Sequence, residues 1–184
     1  EDLEQLMHRG VQVEPILEVA RAVYQLERGE AEGARRGLYR LLRQPDSEGN
    51  PMVRQAVLCV LSRALLAQDD LEGAIAVARQ SIHFTRGAGS GFKTYLIHAT
   101  CVRAVAEARM GKHKLAASRL VALFDMLNGN PLLHGCCHEA MAEVALCAGA
   151  TDEALEQLQE ADRWFRGTGN PALAARVERL AGRV

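Results

Sequence analysis

One tripeptide recurs along this chain at a fixed interval. Gly49-Asn50-Pro51, Gly129-Asn130-Pro131 and Gly169-Asn170-Pro171 repeat the same mark, and Gly89-Ser90-Gly91 fills the slot between the first two. The glycines stand at 49, 89, 129 and 169, 40 residues apart each time. Gly can take the left-handed conformation that closes a helix C-terminus. Asn or Ser can accept a bond from an orphan N–H at the start of the next helix, and Pro suits its first turn. Each triplet therefore predicts the end of one helix and the start of another, so the chain is expected to fold as helical units of one length.

Between the marks the apolar period is helical. From Pro15, Ile16, Val19, Ala20, Val23 and Leu26 recur at three and four residues, as one face of a helix requires. After Gly29 the period resumes with Ala31, Ala34, Leu38, Leu41 and Leu42. Later units repeat the plan, with first helices predicted over about 51–68, 92–110 and 132–148. The second helix of the third unit is expected to run through Leu115, Leu120, Leu123, Phe124 and Leu127. The mid-unit turn keeps register: Gly29, Asp69, Gly111 and Gly149 each stand five residues before an alanine (Ala34, Ala74, Ala116 and Ala154). Seven residues before each turn sit Ala22, Ser62, Ala104 and Ala142, all small. Matched small residues let paired helices approach closely. Aromatics make up only 4% while Ala and Leu dominate, which favours helix–helix packing over a β-rich core.

On these residues the chain resembles the tetratricopeptide repeat family. The likeness is strongest at Ala142, Gly149-Ala150-Thr151-Asp152-Glu153-Ala154-Leu155 and Ala161, and it covers about residues 13–184. The 40-residue beat is longer than the standard 34, and the usual aromatic positions hold Glu18, Leu58, Thr100 and His138. Long repeats of this kind resemble those of large bacterial regulators and signalling proteins. The resemblance implies an all-α, right-handed solenoid of stacked antiparallel helix pairs. It implies one domain over 1–184: repeats at 13–47, 51–87, 91–128 and 131–168, a closing helix at 171–184, and residues 1–10 ending a preceding repeat. It also implies a concave groove on the first helices. Carried onto this chain, the groove positions are Val19, Val23 and Leu26; Cys59, Arg63 and Leu66; His98, Cys101, Val105 and Arg109; and Glu139, Glu143 and Leu146. That set suits a protein or peptide with apolar anchors and a few opposite charges. It does not suit the family's Lys/Asn clamp for a C-terminal carboxylate.

The formal net charge of −1 offers no electrostatic footprint for nucleic acid or an anionic membrane. No apolar run reaches the roughly 18 residues of a membrane span. Five cysteines, an odd number without a regular framework, argue for reduced thiols and a cytoplasmic protein. The first residues, Glu1-Asp2-Leu3-Glu4, lack an initiator Met, and the chain reads as an excised segment of a larger protein. Gly87-Ala88-Gly89-Ser90-Gly91-Phe92-Lys93-Thr94 invites comparison with a phosphate-binding loop, but Phe92 separates the last Gly from the Lys and a helix is expected before it. His134, Cys137 and His138 could share one helical face as a metal site, against which stands the use of Cys as a small core filler. Trp164-Phe165 is expected to pack against the closing helix. No Ser/His/Asp or Cys/His arrangement can be assembled, and no cofactor motif is present. The sequence therefore leads to a non-catalytic module that binds a protein or peptide, as part of a larger bacterial signalling or regulatory protein. The alternative is an effector-sensing domain of a multidomain ATPase or transcriptional activator holding a small ligand. A second copy of the chain is a further candidate partner.

Overall fold

In a computed structural model of the chain, residues 13–44, 50–87 and 92–183 are described. Among them are nine α-helices, one 3-10 turn and no strand: α1 (Val13–Glu27), α2 (Ala31–Leu42), α3 (Pro51–Ala67), α4 (Leu71–Gly87), α5 (Lys93–Arg109), α6 (His113–Val121), α7 (Pro131–Cys147), α8 (Thr151–Arg166) and α9 (Pro171–Ala181), with the 3-10 turn at Phe124–Met126. The expected helix in residues 1–10 and the Gly89-Ser90-Gly91 mark lie outside the described residues, as does Gly49.

The recurring triplet works as its chemistry requires. Asn50 Oδ1 accepts from the backbone N–H of Met52 at 3.1 Å and of Val53 at 3.3 Å. Asn130 Oδ1 accepts from Leu133 N–H at 3.2 Å, and Asn170 Oδ1 from Ala172 N–H at 3.0 Å. Each Asn satisfies donors that the helix start would otherwise leave orphaned. A proline follows in the first turn of α3, α7 and α9. Gly129 and Gly169 both have φ of +68°, the left-handed region that glycine enters without penalty.

The mid-unit turn is one structure used four times. The N–H groups of Glu30, Asp70, Lys112 and Ala150 donate back to the carbonyls of Gln25, Leu65, Glu107 and Ala145, at 2.8 to 3.0 Å. This five-residue return bond closes a helix around a left-handed residue. Gly29, Gly111 and Gly149 occupy that position, and Asp69 takes it with φ of +60°. Asp is among the few residues that tolerate this region. Asp70 then caps α4, its Oδ1 accepting from Gly73 N–H at 2.9 Å. The alanines five residues past the turn are fully buried, and Ala22, Ser62, Ala104 and Ala142 are buried as well.

The chain divides into two compact units, residues 1–77 and 78–184, with the boundary inside α4. In the first unit α2 packs on α1 and α3, and α3 also packs on α1. Leu38, Leu41, Val57, Leu61 and Leu65 form its buried interior. In the second unit α7 packs on α5, α6 and α8, and α8 packs on α9. Here Phe165 is buried among Cys136, Ala142, Leu158 and Ala161 from α7 and α8, and Leu173, Val177 and Leu180 from α9. The α7–α8 pair thus completes its core with side chains from the next helix.

One element departs from the sequence expectation, and another divides its apolar residues. The second helix of the third unit stops at Val121, and Phe124–Met126 continue as a tighter 3-10 turn. Its preceding turn falls two residues late, at Gly111, so fewer residues remain before the Gly129 mark. Leu123 and Leu127 are still brought inward. On α1 the apolar residues divide between the packing and the surface. Pro15 and Ala22 point inward, Val19, Val23 and Leu26 are half-buried, and Ile16 and Ala20 are exposed.

Candidate docking face

The groove positions behave differently in each unit. In the first, Val19, Val23 and Leu26 on α1 and Arg63 and Leu66 on α3 are half-buried. Cys59 is only 5% exposed, so it is a core residue rather than a lining one. On α1 the half-buried residues run into an exposed set: Ile16 at 47%, Leu17 at 56% and Tyr24 at 62%, with Ala20 among them. The helical period places Ile16, Ala20 and Tyr24 on one stripe at four-residue spacing. The most apolar arc of α1 therefore faces outward.

In the second unit His98 on α5 and Leu146 on α7 are half-buried. Cys101 and Val105, expected on the lining, are buried in the packing of α5, Val105 at 3% exposure. The charges expected to meet a partner meet one another instead. Arg109 donates to Glu143 at 3.0 Å, and Arg183 reaches the same carboxylate at 3.8 Å. Arg176 of α9 forms a fork with Glu139, its Nε donating at 3.1 Å and its terminal nitrogen to the other carboxylate oxygen. The first unit has the same device, Arg63 donating to Glu27 at 3.1 Å. These partners are separated by 34, 37 and 36 residues, close to one repeat, because successive first helices lie side by side. Opposite charges one repeat apart were the legible signal.

A further acid is buried. Glu107 on α5 is 4% exposed and is held by Arg103 at 2.8 Å and by Arg119 of α6 at 2.7 Å. It ties the two helices of one pair together across their turn. The Arg four residues before it on the same helix is a sequence signal. Arg119 could be assigned only with the fold known.

The proposed metal ligands point apart. His134 stacks on the Trp164 indole, centroids 4.1 Å apart and planes 12° from parallel. His138 donates from Nδ1 to Gln157 Oε1 at 2.8 Å and meets the Phe124 ring edge-on at 5.1 Å. Cys137 is fully buried, with its sulfur toward Cys101. Among the described residues no group of three or more His, Cys, Asp or Glu side chains comes together to hold a metal. Burial, and then the nearby His138, hold the His134 imidazole below its usual pKa. Of the expected Trp164-Phe165 pair, Phe165 packs against the closing helix, whereas Trp164 turns to His134.

The glycine-rich stretch cannot act as a phosphate loop of the usual kind, since α4 rather than a strand leads into it. A groove lined by Ala117, Met141, Val144 and Ala148, with Lys114 and Glu153, has a volume of about 160 Å³. Pockets for drug-sized molecules run to roughly 300–1,000 Å³. Among the described residues no helix is long and apolar enough to cross a membrane.

No family model, curated protein or solved structure matches the chain. The functional reading therefore rests on the residues themselves.

Proposed function

We propose that the chain is a tetratricopeptide-like, right-handed stack of helix pairs that docks the apolar face of an amphipathic helix or peptide without catalysis. It would serve as the interaction part of a larger regulatory or signalling protein, as the long repeats it resembles do. The observation that carries this reading is the outward apolar arc of α1, where Ile16, Leu17, Ala20 and Tyr24 extend the half-buried row of Val19, Val23 and Leu26. A contiguous exposed apolar patch on a folded surface marks an interaction site more often than a scatter of single residues does. Tyrosine is among the side chains that carry most of the affinity at such sites, and its aliphatic neighbours add apolar area to be covered. Fully covering each one contributes about 1.5–3 kcal/mol.

The paired charges refine the partner's chemistry. Arg63, Arg109, Glu139 and Glu143 already have opposite charges beside them. A partner would gain little by offering counter-charges there, so its recognition is apolar with a polar rim.

A photo-crosslinking side chain placed at Tyr24 in cells making the protein tests this directly. The expected result is a discrete heavier adduct that disappears when Ile16→Asp and Leu17→Asp are added, and that a crosslinker at Arg79 does not give. An adduct of twice the chain's mass would identify a second copy as the partner. Equal adducts at Tyr24 and Arg79, or none at Tyr24, would overturn the proposal.

A further inference from the structure

Two thiols that the docking function does not use lie against each other inside the second unit. Cys101 of α5 and Cys137 of α7 have their sulfurs 3.8 Å apart, and both are free thiols. Cys137 is fully buried and Cys101 is 8% exposed. One turn further along each helix the residues are Ala104 and Ala140, both buried, so the two helices meet through small side chains here. A disulfide needs its sulfurs at about 2.05 Å. The remaining approach of just under 2 Å is divided between two side chains on helices already in contact.

We propose that Cys101 and Cys137 form an oxidant-sensitive dithiol, which a two-electron oxidant of the peroxide class closes into a disulfide joining α5 to α7. The sulfur of Cys101, the more exposed, loses its proton and attacks one peroxide oxygen. The O–O bond breaks, the other oxygen leaves as water with a proton, and Cys101 is left as a sulfenic acid. The sulfur of Cys137 then attacks the Cys101 sulfur, the S–O bond breaks, and a second water carries off the Cys137 proton. Two thiols lose two electrons, and one peroxide gains them.

The buried setting selects this chemistry over metal capture. Two thiolates around a monovalent soft metal would leave a net negative charge in a buried site, whereas a disulfide is neutral. The hydrogen bond to Cys137, then burial, hold the Cys101 thiol well above its usual pKa. Closure is therefore slow near neutral pH and accelerates as pH rises, because the thiolate is the nucleophile. The bond would staple the α5 and α7 faces that Arg109 and Glu143 already bridge.

The test treats the reduced, folded protein with hydrogen peroxide and then counts maleimide-reactive thiols after denaturation. The five cysteines should fall by two, and a Cys101–Cys137 linked peptide should appear and revert with dithiothreitol. The Tm without reductant should rise by several degrees. Cys136→Ala should leave the link intact, and Cys101→Ala or Cys137→Ala should each abolish it. A link through Cys136 or Cys147, loss of thiols only as sulfinic or sulfonic acids, or five thiols still reactive would each overturn the proposal.

Discussion

At the scale of single residues, the tightest constraint is Gly135, in the second turn of α7. A Cβ there would run into the ring of Phe165, which is fully buried and has nowhere to go. Alanine gains about 1 kcal/mol over glycine in a helix interior, but overpacking a closed core costs about 1–3 kcal/mol. Gly135→Ala should therefore lower stability on balance, by about 1–2 kcal/mol in chemical denaturation. Gly37, inside α2 with nothing near its missing Cβ, is the control: Gly37→Ala should raise stability by about 0.5–1 kcal/mol. His134 gives a pH dependence at the same scale. Its pKa in the folded chain is depressed, so the unfolded chain binds more protons once pH drops below the ordinary value of about 6.5. Stability from this group is complete above that value and declines as pH falls toward the depressed pKa. The Tm should accordingly drop as pH falls below about 6.5. His134→Phe, which keeps a ring on Trp164 and removes a buried nitrogen without a hydrogen-bond partner, should flatten the slope.

At the scale of elements, helix ends were more legible than helix faces. Asn50, Asn130, Asn170 and the four mid-unit turns could be read from residue type because capping and left-handed backbone are local chemistry, settled within five residues. Even Asp69, a departure from glycine, keeps the turn. On α1 the apolar period shows which arc is greasy, not how much of it a neighbour covers: Ala22 is buried, whereas Val19, Val23 and Leu26, expected on the groove, are half-buried. For the same reason Cys59, Cys101 and Val105 went to the lining in the sequence reading and to the core in the structure. The paired charges needed the separation between successive first helices, and Glu107 needed Arg119 from a different helix. That buried acid carries its own prediction. Glu107→Ala leaves Arg103 and Arg119 without their carboxylate, and because both arginines are partly exposed the loss should sit at the low end for a broken buried pair, about 3 kcal/mol by thermal or urea unfolding.

At the scale of the whole molecule, each unit repeats one rule: a first helix rests on both members of the pair before it, α3 on α1 and α2, α7 on α5 and α6. A pair built this way leaves its far side for the next helix to finish, as α9 finishes the α7–α8 core around Phe165. Interdependence of neighbours is the physical basis of the repeat reading, and the outward arc of α1 is where a partner would supply what a neighbouring helix supplies elsewhere. Hydrogen–deuterium exchange on the wild type and on the Leu173→Ala, Val177→Ala double variant tests that claim most directly. Both substitutions lie in α9, yet protection should fall along α8 and the first half of α7 as well. Faster exchange confined to residues 171–181 would contradict it, since the α7–α8 pair would then hold a core of its own.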